Sequence, residues 1–446
     1  MIHAIAKELK ISNYTLFAQK DDGTLVAANT LSGAIIHIHQ EPFLSLVQKY
    51  MSLEKDTIIE YNESDEIHKH FYQQGVFVDA DVDEYEMTLY GYEQHIVRDT
   101  TLNLTLIPTR QCNFRCTYCY EDFQNKHMTD DVYENLLLYI ENSLEKKLHP
   151  KVVIGLFGGE PFLFFDKVYN FLKKAKEICE RFDIPFSAGA TTNFALVTHE
   201  RFDKLIEVNC KSFQVTIDGL ANTHDIRRPL VGGGPTFDAI ISNLLYARKT
   251  FYDFEISLRT NFDAEVVASA EEFYSFIKQN FDDNRFIISY LNTQKWGGAN
   301  DDKIEALEGE NINEAKNKIR EIVSKMSLID NTKNMFSIPF HNLCYASKPN
   351  MFIVDCDGIL LKCTLLLDDD INKVGKLKEG GVFEIEHKKH APWVLRYNGL
   401  NEKCKDCNIL PICFGKPCPL DKVRGMKLHC DQGSLQKDVY DILKNY

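Results

Sequence analysis

The chain lacks any apolar run approaching the ~20 residues needed to cross a bilayer. Its first residues, Met1-Ile2-His3-Ala4-Ile5-Ala6-Lys7, hold neither a long apolar stretch nor a small-residue cleavage site, so no secretion signal is expected. It also lacks a positive balance: 65 acidic residues against 51 basic ones leave a net charge of −14. That charge argues against non-specific binding to nucleic acid or to an anionic membrane. The expectation is a cytoplasmic, soluble protein with no nucleic-acid and no membrane partner. Without a secretion signal, the thirteen cysteines in 446 residues read as metal ligands rather than as a disulfide framework. The length suits about three domains, and a hydrophobic fraction of 44% is enough to build their cores.

Three cysteines are the most informative residues. Cys112-Asn113-Phe114-Arg115-Cys116-Thr117-Tyr118-Cys119 is a C-x3-C-x2-C run. Three thiolates so close can hold three corners of a cubane iron–sulfur cluster and leave the fourth iron without a protein ligand. Electron-transfer clusters normally take four cysteines, whereas an open position is what catalytic metal sites keep. The alternatives are a zinc site or three buried thiols. Zinc favours paired C-x2-C knuckles, and here the first spacing is x3 with no fourth Cys or His close by. A second feature follows the strand-like run 152–157: Gly158-Gly159-Glu160-Pro161. Paired glycines let the backbone approach a ligand closely, and a carboxylate can bind an ammonium group.

With the aromatic Tyr118 before the last cysteine, the first run resembles the signature of the radical S-adenosylmethionine (SAM) enzymes, and the second resembles their GGEP motif. The resemblance implies a catalytic 4Fe–4S cluster on Cys112, Cys116 and Cys119. It implies SAM as cofactor, its ammonium held by Glu160 with the backbone of Gly158 and Gly159. Thr191-Thr192-Asn193, Gln214-Val215-Thr216-Ile217-Asp218-Gly219 and His224-Asp225-Ile226-Arg227-Arg228 are similar to further segments of that family. By the same resemblance Tyr118 packs near the adenine, Thr216 reaches the ribose and Arg228 the carboxylate. On the residues alone, Asp218-Gly219 also makes a turn and Arg228 can pair with Asp225. Leu258-Arg259-Thr260-Asn261 ends a fifth strand and can line the same pocket.

From about 101 to 330, strand and helix patterns alternate six times. Strand-like runs lie at 102–108, 152–157, 186–191, 213–217, 254–260 and 286–291. Amphipathic helices lie between them, the first opening at the N-cap Thr129 with Asp130 and Asp131 in its first turn. Regular alternation implies a parallel sheet with right-handed crossovers. Six units suit the partial (β/α)6 barrel that the resemblance implies, with its chemistry on loops at the strand C-termini. Cys179 and Cys210 fall on apolar stretches and are expected to be buried, inert thiols.

Eight cysteines remain after residue 340: Cys344, Cys356, Cys363, Cys404, Cys407, Cys413, Cys418 and Cys430. Gly358-x4-Cys363 and Cys404-x2-Cys407-x5-Cys413 resemble the SPASM extension of radical SAM peptide-modifying enzymes, and the x4 spacing before Cys418 departs by one residue from that pattern. The resemblance implies two auxiliary 4Fe–4S clusters, three clusters in all. The first takes Cys344, Cys363 and Cys418, with Cys356 as fourth ligand or with an open iron in its place. The second takes Cys404, Cys407, Cys413 and Cys430. A pair of zinc ribbons is the alternative.

The first hundred residues read as strands at 25–28 and 34–39, helices at 41–51 and 66–74, and a short strand or wing at 75–79. This is similar to the winged-helix-like peptide-recognition domains that add a leader peptide to a sheet edge. His37, His39, His68 and His70 read as surface or core residues rather than a metal set. The expected α/β organisation is a peptide-recognition domain over 1–95, the radical SAM partial barrel over 96–330 and an iron–sulfur SPASM domain over 331–446. The resemblance implies an oxidoreductase that matures a ribosomally synthesised, cysteine-rich precursor peptide. It would join sulfur to carbon as a thioether through a 5′-deoxyadenosyl radical, with flavodoxin or ferredoxin as reductant. Anaerobic sulfatase maturases, the alternative, commonly carry Asp after the G-x4-C cysteine, where this chain has Thr364. An alternative of a different class is a non-catalytic iron–sulfur electron carrier, against which the SAM-binding GGEP motif argues.

Overall fold

The computed structural model describes residues 8–39, 43–298, 300–331, 343–394, 400–415, 418–426, 430 and 432–444. Residues 41 and 42, at the start of the first expected helix, lie outside these. The chain divides into two compact units: residues 1–99, 332–349 and 392–446 form one, and residues 100–331 and 350–391 form the other.

The first unit opens with β1 (Glu8–Ile11), β2 (Thr15–Gln19), β3 (Leu25–Asn29) and β4 (Ile35–Ile38), followed by α1 (Phe43–Met51), β5 (Ile59–Glu60), α2 (Glu66–Gln73), β6 (Phe77–Asp79) and α3 (Glu84–Tyr92). β2, β3 and β4 form an antiparallel meander that leaves β4 at an edge, and β5-β1-β6 form a second small sheet. The three-residue β6 answers the expected wing. α2 starts where Asp65 accepts hydrogen bonds from the Ile67 and His68 amides, an N-cap that satisfies two otherwise orphaned donors. One face of the meander buries Leu25, Ala27 and Ile38 with Val47, Phe71 and Phe77. The other buries Leu16, Val26 and Ala28 with Ile409, Ile412 and Phe414. Tyr92 stacks on Phe414 at 4.0 Å between ring centroids. His68 is buried, and Tyr50 Oη lies 2.8 Å from its Nε2. A groove of about 490 Å³ runs beside β4, lined by Ile36, His37 and Ile38 with residues of α1 and α2, among them Phe43, His70 and Phe71.

The second unit is built on β7 (Leu102–Leu106), α4 (Asp130–Glu145), β8 (Val152–Leu156), α5 (Phe165–Arg181), β9 (Phe186–Thr192), α6 (His199–Glu207), β10 (Cys210–Thr216), α7 (Ala221–Arg227), α8 (Phe237–Lys249), β11 (Glu255–Phe262), α9 (Ala264–Ala268), α10 (Ala270–Phe281), β12 (Phe286–Asn292) and α11 (Glu310–Lys325). β7 to β12 pair in chain order, every pair parallel. The amphipathic helices explain the arrangement. In α4, Tyr133, Leu136, Ile140 and Leu144 are buried, a stripe at helical spacing that must cover a sheet. In α5, Val168, Leu172, Ala175 and Cys179 do the same. Cys179 and Cys210 are both fully buried, and burial pushes the Cys179 thiol up to about 12.

The sheet continues past β7. β13 (Met351–Val354) pairs parallel with it, and β14 (Ile359–Leu361), β15 (Lys373–Lys378) and β16 (Val382–Ile385) follow antiparallel, so ten strands form one sheet. No helix among the described residues is long and apolar enough to cross a membrane.

Candidate active site

The loop after β7 carries Cys112, Cys116 and Cys119, and hydrogen bonds strap it down along its length. Arg110 N–H donates to Lys126 O at 3.0 Å, Arg115 N–H to Pro229 O at 2.8 Å, Thr117 N–H to Arg227 O at 2.9 Å, and Val231 N–H to Asn113 O at 2.8 Å. The segment holding Arg227 and Arg228 therefore runs alongside the cysteine loop as a strand would. Each thiol feels the charge of its neighbours: Cys112 couples to Cys116 and Cys119, and Cys119 to Cys116. Burial raises all three above the ordinary thiol value, Cys119 to about 12.

The loop after β8 packs directly against this one. A Cβ on Gly159 would lie 2.0 Å from Gln111 O, and one on Gly158 would lie 2.7 Å from Thr109 O. Gly158 also has φ +106°, a region that favours glycine. Glu160 N–H donates to Gln111 O at 2.8 Å. Its carboxylate, fully buried, accepts from Phe162 N–H at 3.1 Å, Thr192 Oγ1 at 2.8 Å and Asn193 N–H at 2.8 Å. Burial pushes its carboxyl up to about 7 against these bonds. Glu160 thus ties the ends of β8 and β9 together. Asn193 extends the tie, donating to Asn113 Oδ1 at 2.8 Å and approaching Cys112 Sγ at 3.9 Å.

Tyr118 is the centre of a second network. Its hydroxyl donates to Asp218 and accepts from Arg228 Nη1 at 2.7 Å and Asn261 Nδ2 at 3.1 Å. Asp218 Oδ1 accepts from Asn261 N–H at 2.8 Å. Arg227 lies 3.8 Å from Asp218, pairs with Asp263, and stacks its guanidinium 5.3 Å from the Tyr118 ring centroid. Desolvation opposes charge on Arg228, but Cys116, Tyr118 and Asp218 hold it protonated, above its ordinary value. Asp225 does not pair with Arg228; it accepts from Thr236 N–H and Phe237 N–H, each at 2.8 Å, at the start of α8. Thr216 ends β10 in register with Arg259 of β11 and is buried.

Cys112, Cys116, Cys119, Tyr118, Gly158, Gly159, Glu160, Thr216 and Arg228 thus all come from strand ends or loops of the same unit, and Arg228 interacts with Tyr118, Cys116 and Cys119. Sequence reasoning passed over Asn193 as a contact to the cysteine loop, Arg227 as the partner of Asp218 and Asp263, and Glu121. Glu121 is part-buried two residues beyond Cys119, and desolvation pushes its carboxyl up to about 7 while Arg110 pulls the other way. Their partners are remote in sequence, so no local pattern marks them.

The residues fit a cluster. Three part-buried thiols, each raised by desolvation, become stable thiolates only beside a strongly cationic centre, and the missing side chains of Gly158 and Gly159 let the second loop pack on the cysteine loop. Among the described residues, no group of three or more His, Cys, Asp and Glu side chains is gathered as a single metal ion requires. A cubane instead takes each thiolate on a separate iron.

The later cysteines fall into both units. Cys356 is buried among Ile107, Met351, Ile353, Leu361 and Leu367, and its thiol donates to Ile107 O at 3.3 Å. Burial pushes that thiol up to about 12. Cys363, also buried, is held through its backbone by Asn372, whose Oδ1 accepts from Cys363 N–H at 2.8 Å and whose Nδ2 donates to Cys363 O at 2.7 Å. In the other unit Cys404 and Cys407 are buried, Cys344, Cys413 and Cys418 part-buried and Cys430 exposed. Cys404 feels the charge of Cys430.

Residues 106–274 match the Radical SAM superfamily, a span from the end of β7 into α10 that contains both loops. The chain is 23% identical over 350 residues to the serine-type anaerobic sulfatase-maturating enzyme of Bacteroides thetaiotaomicron, covering 70% of this chain and 80% of that protein. It is 23% identical over 337 residues to the cysteine-type enzyme of Clostridium novyi, covering 70% and 87%. In fold it is similar to anSMEcpe with bound AdoMet and Cp18Cys peptide, with a TM-score of 0.59 at 17% identity over 77% of this chain and 98% of that one. It is also similar to Streptococcus suis SuiB bound to precursor peptide SuiA, with a TM-score of 0.51 at 16% identity over 92% and 95%. The cysteine loop, the glycine-lined loop behind it and the family match over both agree: residues 106–274 form a domain of the radical SAM superfamily, and the chain that carries it is an enzyme.

Proposed function

We propose that this enzyme modifies a ribosomally synthesised, cysteine-rich precursor peptide, joining a substrate sulfur to a carbon as a thioether. The observation that carries the peptide reading is the groove beside β4. β4 lies at the edge of its sheet, and with the apolar Ile36, Ile38, Phe43 and Phe71 lining the groove beside it it suits an extended peptide added as a further strand. SuiB bound to SuiA lends support as a neighbour that holds a precursor peptide. Thr364, where sulfatase maturases commonly carry Asp, favours the thioether. The two curated relatives are sulfatase-maturating enzymes, which supports as strongly a second reading, oxidation of a target residue to an aldehyde.

In this reading Cys112, Cys116 and Cys119 hold the catalytic cluster. Glu160 and the Gly158-Gly159 backbone would hold the SAM ammonium, Tyr118 would pack by the adenine and Thr216 by the ribose, while Arg228, committed to the Tyr118 hydroxyl, would line the same pocket. Cluster and SAM bound there supply one electron and a 5′-deoxyadenosyl radical, the hydrogen-abstracting species of this superfamily. The protein's part is to hold both loops rigid, which the Glu160 and Tyr118 networks do, and to keep water from the buried site. Cys404, Cys407, Cys413 and Cys430 would hold an auxiliary cluster. The bond from Cys356 to Ile107 O and its apolar surroundings favour a packing role for that thiol. A low-potential reductant such as flavodoxin or ferredoxin delivers the electron.

Coexpression with a candidate cysteine-rich peptide, followed by mass spectrometry, tests the reading. A loss of two hydrogens per linked cysteine, with that cysteine no longer alkylated, is the expected result. An aldehyde trapped by a hydrazide would transfer the assignment to the second reading. Phe43→Asp, on the exposed rim of the groove, should raise the KM for a leader-bearing peptide.

A further inference from the structure

β11 alternates along its length: Ile256, Leu258, Thr260 and Phe262 are buried, and Ser257, Arg259 and Asn261 are part-exposed on the opposite face. Asn261 reaches Tyr118 Oη from that second face, so Arg259, two residues earlier, shares the side of the sheet on which the cysteine loop lies. The register sets Arg259 beside Thr216 of β10 and Ser289 of β12.

Three guanidinium groups meet in this region, and their partners differ. Arg227 pairs with Asp263 and lies 3.8 Å from Asp218. Arg228 donates to the Tyr118 hydroxyl and faces the Cys116 thiol. Arg259 hydrogen-bonds to two neutral amides, Asn261 Oδ1 at 3.2 Å from Nε and Gln214 Oε1 at 3.3 Å from Nη1, and feels Tyr118, Tyr120 and Asp218 without bonding to them. Both bonds are at the long end of the normal range. Among the described residues no carboxylate lies within ion-pair distance of it. Burial lowers its pKa, the opposite of what counter-charges do for Arg227 and Arg228. The amides hold the guanidinium's direction and leave Nη2 uncommitted. A part-buried guanidinium without an anion is costly, and its planar fork matches a carboxylate.

We infer that Arg259 is the docking point for the carboxylate of a ligand bound inside the partial barrel. The inference rests on the reading that SAM binds at the cysteine and GGEP loops. Two ligands can bring that carboxylate: the methionine part of SAM, or a carboxylate of the second substrate. Gln214 and Asn261 serve as the supports that aim the fork.

The test uses the reconstituted, full-length protein under anaerobic conditions with Arg259→Gln and Arg259→Lys. SAM and its decarboxylated analogue are titrated by equilibrium dialysis. If SAM is the source, Arg259→Gln weakens SAM by about 10- to 100-fold and leaves the decarboxylated analogue unchanged, with Lys restoring part of the loss. If the second substrate is the source, SAM affinity is unchanged. In that case carbon-13 acetate added to the SAM-loaded, reduced protein is broadened by the paramagnetic cluster in wild type and in Arg259→Lys but not in Arg259→Gln. Equal SAM affinity in all three proteins, together with acetate broadening that does not depend on residue 259, overturns the inference. Equal weakening of SAM and its decarboxylated analogue overturns it too, because that pattern is a structural loss. A wild-type protein that binds no SAM would instead refute the reading on which the inference stands.

Discussion

Arg110 grips Asp355 along both edges of the carboxylate, Nε to Oδ1 at 2.9 Å and Nη2 to Oδ2 at 2.7 Å, across 245 positions of sequence. Both side chains are almost wholly buried, at 2% and 8% exposure. Arg110 stands two residues before Cys112, and Asp355 immediately precedes Cys356, whose amide also donates to Asp355 Oδ1 at 2.8 Å. One buried ion pair therefore anchors the base of the cysteine loop to the turn between β13 and β14.

Breaking that pair should be expensive. Asp355→Ala leaves the buried Arg110 with the exposed Asp368 at 3.7 Å, Leu367 O at 3.4 Å and the charge of Glu121, none of them a bidentate partner. The expected loss is about 3–5 kcal/mol of stability, read as a fall in denaturation midpoint. The double variant Arg110→Met with Asp355→Leu should recover most of it, since an apolar pair has no charge to strand. A single variant as stable as wild type would show that the pair is not an anchor.

Replacing Cys112, Cys116 and Cys119 together with Ala should remove about four iron from a total of about twelve and abolish reductive SAM cleavage. Iron and sulfide assays with a cleavage assay check both. Full cleavage by the triple variant would remove the catalytic cluster from this loop.

Gly159→Ala probes the contact between the two loops. The added methyl would lie 2.0 Å from Gln111 O, so backbone must move. Overpacking of this kind costs about 1–3 kcal/mol and should shift the residue next to Cys112. The expected outcome is a lowered midpoint and slower cluster incorporation, followed by the growth of iron–sulfur absorbance during reconstitution.

Cys356→Ala should leave the iron content unchanged and cost about 1–2 kcal/mol, the range for a small buried void and a lost hydrogen bond. A fall of about four iron would place Cys356 among the ligands.

Cys179 and Cys210 should resist alkylation. Their thiols are fully buried, and desolvation holds both above the ordinary value. Only the thiolate reacts, so iodoacetamide should label them in guanidinium and not in the native protein. Peptide mapping distinguishes the two states, and rapid native labelling of either would contradict their burial.

Much of the fold is legible in the sequence because its causes are local. The six parallel strands and most helices between them lie within a few residues of the expected spans, since amphipathic spacing, N-caps such as Thr129 and strand-length apolar runs act over one element. Short elements escaped. β5, with two residues, carries too few for a pattern, and β1, β2, α7 and α9 lie where no element was expected. The same limit applies to the site. Cys112, Cys116, Cys119, Gly158, Gly159 and Glu160 announce themselves by spacing. Asn193, Arg227 and Arg110 do not, because each acts on a group distant in the chain.

The sequence by itself marked the radical SAM domain, since thiol spacing and a glycine pair before a carboxylate are local patterns. Only the tertiary structure decided that Glu160 also joins β8 to β9 and that Arg228 takes Tyr118 rather than Asp225. It alone decided that Cys356 turns its thiol to Ile107 O, that β13 to β16 extend the parallel sheet, and that Ile409 and Phe414 pack on β2 and β3. The physical reason is common to all of them. A buried polar group or apolar face must find a partner somewhere, and which partner depends on what the folded chain brings within about 3 Å, not on what lies beside it in sequence.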